Sequence, residues 1–240
     1  MVVFPLVPMP IQPIRFGDEG QLATTELLRR FATLAQEPRL PAAAMQRIRA
    51  QLGALEALDR QYGGLATLAV EDADELVAAL TTDLAYLEDD ELITGVALWA
   101  IRHDVDVTVA EPVVNALATR SNVAAGKQEL AAVFGLMQGL IAHLAPRFAA
   151  DLERSNPERP WRVAHVNLAI TAIRTEDPAM IDFAFDALDA ALPDERAGFY
   201  AEALALALAP RVAPAVRERI EARHLKWSES KLAPESPFRL

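Results

Sequence analysis

The side chains able to do chemistry are few and widely spaced, and the four histidines come first. His143 and His165 each stand in an apolar helical stretch, where an imidazole turned into a cavity would act as a general base or hold a cofactor. They are the candidate polar groups of a ligand pocket, although such a histidine more often bonds a backbone carbonyl or sits at an interface. Glu221 and His224 form the sole E-x-x-H. A carboxylate-bridged metal bundle needs that pair on two helices and a glutamate on each of two others. One copy therefore reads as a solvated helix face, with Arg217 and Glu221 an ordinary pair four apart.

Carboxylates gather at Glu71, Asp72, Asp74 and Glu75, and again at Glu88, Asp89, Asp90 and Glu91. Several carboxylate oxygens together suit a hard divalent cation. Here the acids lie side by side at predicted helix starts, where they cap amides and meet the positive end of the dipole, so they read as caps and solvated turns. The sequence has no G-x-x-x-x-G-K, G-x-G-x-x-G or G-x-S-x-G, and no cysteine. Phosphate loops, the serine elbow, thiolate chemistry and disulfides are thereby removed. No catalytic residue, cofactor or metal site is expected.

Cations concentrate late in the chain, at Arg211, Arg217, Arg219, Arg223 and Lys226, while the whole has 34 acidic against 23 basic residues and a formal charge of -11. That asymmetry marks Arg217, Arg219, Arg223 and Trp227 as a candidate face for an acidic protein partner. The plainer reading is a last helix whose charges offset its own dipole. The overall charge repels phosphate backbones and anionic lipid, so neither nucleic acid nor membrane is expected as a partner. The absence of cysteine suits a reducing cytoplasm.

The elements that must position these groups are helices. Leu27, Leu28, Phe31 and Leu34 mark a first helix ending near Pro38, and Met45, Ile48, Leu52, Leu55 and Leu58 a second. Leu76, Val77, Leu80, Leu84 and Leu87 define a third, and Leu92, Ile93, Val96 and Trp99 a fourth. Thr108 and Glu111 have capping-box spacing before a fifth, with Pro112 in its first turn. A sixth, over 126–148, is apolar nearly all round and reads as a buried central helix. Val163, Val166, Ile170 and Ile173 predict a seventh, with Trp161 just inside its start. Asp177 and Pro178 open an eighth, carrying Ile181, Phe185, Leu188 and Leu192. A ninth follows Pro193, and Pro214 opens the last, through Val216, Ile220 and Leu225. The alternating "DVDVTV" at 104–109 lies between helices and reads as a turn.

The fold class is all-α: an irregular stack of antiparallel helical hairpins, either a helical bundle or a short helical-repeat array, with an extended N-terminal arm and a C-terminal tail. Residues 1–20 form a proline-rich apolar arm without the basic n-region of an export signal, residues 21–227 one domain, and residues 228–240 a flexible tail. Matching triplets, Ala100-Ile101-Arg102 with Ala172-Ile173-Arg174, raise an internal duplication of about 91–148 and 160–212; chance in an Ala/Leu-rich chain is the alternative. "RSNPERP", 154–160, has the strongest linker composition. Phe4, Leu6, Met9 and Ile11 in the arm are expected to dock in a groove of this chain or of a second copy, the latter making a homodimer. Two functional readings follow. One is a non-enzymatic scaffold or adaptor for protein–protein interaction, favoured by an open apolar groove. The other is an all-α enzyme or small-ligand carrier with a pocket around 126–148, favoured by a closed polar cavity at His143.

Overall fold

A computed structural model describes residues 23–36, 40–61, 71–150, 152, 154–209 and 212–230. The arm, with Phe4, Leu6, Met9 and Ile11, lies outside the described residues, as does the tail beyond Ser230. Among the described residues there are ten helices and no strand: α1 (Ala23–Leu34), α2 (Ala42–Gln61), α3 (Glu71–Leu87), α4 (Asp90–Arg102), α5 (Ala110–Val123), α6 (Lys127–Phe148), α7 (Pro160–Thr175), α8 (Pro178–Ala191), α9 (Arg196–Ala207) and α10 (Pro214–Ser230). The chain divides into two compact units between Ala116 and Leu117, inside α5. The "RSNPERP" segment therefore lies within the second unit.

In the first unit each of α1 to α4 packs on the next and α1 returns to α4, closing a four-helix bundle. The predicted stripes meet at its centre: Leu27 and Phe31, Ile48, Leu52 and Leu55, Leu80 and Leu84, and Val96 with Trp99 are all buried. Each such side chain stabilises the unit by roughly 1.5–3 kcal/mol when removed from water. Asp89 caps α4 by accepting from the Leu92 amide at 2.9 Å. The Arg30 guanidinium of α1 grips the same carboxylate with two bonds of 2.7 and 2.8 Å. Asp89 and Glu91 are buried and Glu88 is exposed, so the second acidic cluster supplies a cap and a solvated turn at Glu88, as its position implies, while Glu91 lies inside the unit. After α4, Val105 and Val107 turn inward while Asp104, Asp106 and Thr108 face water, which explains the period-two pattern without any sheet.

The second unit is an open row. Helix α6 packs on α7, α7 on α8, α8 on α10 and α10 on α9. Helix α8 begins as its sequence dictates, with Asp177 accepting from the Ala179 and Met180 amides and Pro178 in the first turn. Two expectations need correction. Helix α6 is not enclosed all round: it buries one stripe, Leu130, Val133, Phe134, Met137, Leu140 and Leu144, and exposes Ala132, Gly135, Gln138, Gly139 and Ala142 opposite. It is the one helix among the described residues long and apolar enough to cross a membrane. Helix α7 does not bury the Val163–Ile173 stripe. Its buried residues include Ala164, His165, Leu168, Ala169 and Ala172, whereas Ile170 is exposed, because a helix between two neighbours approaches both most closely through alanines. Leu225 of α10 is likewise exposed, one position off the Val216–Ile220 face.

Candidate partner-binding cleft

The sequence-selected histidines are placed differently. His165 is buried, its Nδ1–H donating to the Trp161 carbonyl at 2.8 Å and its ring packed on the Trp161 indole. His143 is half-buried on α6 and lines neither of the clefts described below. His224 meets Ser228 Oγ at 3.4 Å.

The basic face of α10 is turned toward its own unit. Arg217 donates to the Ala207 carbonyl at the end of α9. Arg219 reaches Asp182, and Arg223 binds Asp186 and Asp189 at 2.6 Å each. Trp227 Nε1 donates to Asp189 Oδ2 at 3.0 Å, and the Arg196 guanidinium lies 3.4 Å from the centre of its ring. Asp182, Asp186 and Asp189 stand four and three apart on α8, one face of the helix. The four residues predicted as a partner face thus join α8, α9 and α10.

One cleft of about 240 Å³ lies between the loop before α7 and the turn before α9. Arg159, nearly fully buried, and Arg162 both clasp the Glu195 carboxylate. Burial opposes the charge on Glu195, but the bonds from Arg162 and Arg159 prevail and hold its carboxyl below the usual range. Arg154 faces Asp194 at 3.3 Å. All three cations here are paired, two of them with the one carboxylate of Glu195, and the arrangement ties the loop to the α8–α9 turn.

The other cleft, about 440 Å³, opens between the first turn of α6, the end of α7 and the start of α10. Leu130, Ile173, Val212, Ala213 and Val216 give it an apolar floor, and Lys127, Arg174 and Glu176 supply its charges. Helix position explains each contribution. Gly126 is the N-cap of α6, exposing Lys127 at the rim, and Glu176 terminates α7 in the left-handed region at φ 57°. Lys127 Nζ spans to Glu176 Oε2 at 2.6 Å. Arg174 turns instead to Ser121, its Nη1 donating to the backbone oxygen at 2.7 Å and to Oγ at 3.1 Å. Ser121 Oγ in turn meets Thr171 Oγ1 at 2.8 Å, both buried. No sequence motif announced Arg174; its one signal was the triplet it shares with Arg102.

The cleft is open, its floor is aliphatic, and no histidine lines it. Among the described residues no group of three or more histidines and carboxylates is close enough to hold a metal ion. No protein-family model, no curated protein and no solved structure matches the chain.

Proposed function

We propose that this protein is a non-enzymatic helical interaction module, a scaffold or adaptor whose second unit receives a segment of a protein partner in the cleft between α6, α7 and α10. The observation that carries the reading is that cleft: open to solvent and floored by Leu130, Ile173, Val212 and Val216. Apolar pockets of this kind give a partner's side chains somewhere to leave water, and buried anchors dominate the energetics of most interfaces. A small-ligand carrier is less well supported, because the polar group expected to orient such a ligand, His143, is not at the cleft. The formal charge of -11 argues against nucleic acid as the partner. A cytoplasmic setting belongs to the same proposal and rests on the absence of cysteine.

Methyl NMR of the full chain, labelled at isoleucine, leucine and valine and titrated with a panel of short apolar peptides, tests it. Shifts should gather at Leu130, Ile173, Val212 and Val216. A panel that moves none of these methyls removes the proposal.

A further inference from the structure

The chemistry of the segment that fits the cleft can be read from the cleft's cations. Lys127 and Arg174 line it against one acid, Glu176, in a chain that is otherwise strongly acidic. The Lys127–Glu176 pair leaves the two side chains 63% and 41% exposed. So exposed a pair contributes little, and its lysine exchanges readily between carboxylates.

Arg174 differs. It is half-buried, its two hydrogen bonds go to the neutral oxygens of Ser121, and among the described residues no carboxylate pairs with it. Its Nε and Nη2 make no hydrogen bond among the described residues. The Ser121 bonds hold the guanidinium, and a held guanidinium with donors to spare matches the two oxygens of a carboxylate. A basic segment would leave this cation uncompensated as the cleft closed over it.

We infer that the cleft takes an apolar segment of a partner protein carrying an aspartate or glutamate, with aliphatic side chains on Leu130, Ile173 and Val216 and the carboxylate on Arg174 and Lys127. This rests on the interaction reading above and narrows it to one class of partner.

Two short leucine–serine peptides, one with a central glutamate and one with glutamine there, are titrated into the full chain by calorimetry, with octanoate as a third probe. The glutamate peptide should bind about tenfold tighter or more. Its advantage should shrink as salt rises and vanish in Arg174→Gln. The peptide comparison on the unaltered chain stands even if that variant folds poorly. Equal binding of both peptides, each shifting the Ile173 and Val216 methyls, overturns the carboxylate inference and leaves the interaction reading intact. Failure of both peptides defeats the two together. Octanoate binding where neither peptide does assigns the cleft to a small carboxylate and also defeats both.

Discussion

The two units each bury an aspartate against a tryptophan, and treat it differently. In the first, Asp59 Oδ1 accepts from Trp99 Nε1 at 3.0 Å and lies 3.2 Å from His103 Nε2, while Asp59 Oδ2 is buried with no hydrogen-bond partner among the described residues. In the second, Asp189 takes Tyr200 on one oxygen at 2.9 Å and both Arg223 and Trp227 on the other. Each cluster sets a tryptophan one helical turn from a basic residue, Trp99 with His103 and Arg223 with Trp227. Only the second satisfies both carboxylate oxygens. Beside Asp189 the Tyr200 hydroxyl is pushed far above its ordinary value, by burial first and then by that carboxylate. Leaving a buried polar atom unpaired costs about 1–3 kcal/mol. Among the described residues the first unit also buries unpaired Thr81 and Thr94 hydroxyls and the second an unpaired Trp161 Nε1 and His224 Nδ1, so the contrast lies at the two aspartates, of which only Asp189 sits in a connected polar network.

Removing each acid should separate the two units most. Asp189→Ala takes the carboxylate acceptor from Tyr200 and Trp227 and leaves Arg223 with Asp186 alone, so it should cost the second unit about 2–4 kcal/mol. Asp59→Asn keeps an acceptor for Trp99 and removes a buried charge, so it should cost the first unit under about 1.5 kcal/mol. Hydrogen exchange read separately over α1–α4 and α7–α10 measures both; equal losses would show the two clusters to be energetically alike.

Next come the tryptophans. Trp99→Phe removes a fully buried indole and a bond to an already under-paired carboxylate, for about 2–4 kcal/mol. Trp227→Phe leaves Asp189 its other donors and should cost only about 1 kcal/mol. Chemical denaturation of the two variants ranks them, and the reverse order would mean that the α10 network depends on the indole.

The smallest effect is acid sensitivity at the α7–α9 junction. Glu195 has its folded value below the ordinary 4.5, so its contribution is present above that pH and is lost as pH falls through the folded value. Glu195→Gln should flatten the acid limb of α7 and α9 protection, and an unchanged limb would assign it to other carboxylates.

Much of the secondary structure was legible because it depends on neighbours along the chain. Met45, Ile48, Leu52 and Leu55 recur at helical spacing and are all buried; so are Ile181, Phe185, Leu188 and Leu192 of α8. Asp177 and Pro178 announced the start of α8, since a side-chain acceptor and a fixed φ act within one turn. Three helix ends were less visible. Glu88, Asp104 and Glu176 take left-handed φ near 55°, a conformation usually signalled by glycine and here held without it. The candidate site was hardly legible at all. Lys127, Arg174 and Val216 lie far apart in sequence, and nothing local to any of them encodes a cleft.

By itself, then, the sequence determined that the chain is helical, where most helices begin, and which face of α2 or α8 is apolar, because periodicity and capping are local effects. Only the tertiary structure decided which face of α7 is buried, that α6 stands at the end of a row, and that the basic residues of α10 answer the aspartates of α8. Those outcomes depend on which helix lies beside which. Burial and ion pairing are fixed by distances through space, so the same Arg, Ile or His reads alike in sequence whether its neighbour is water, an acid or another helix.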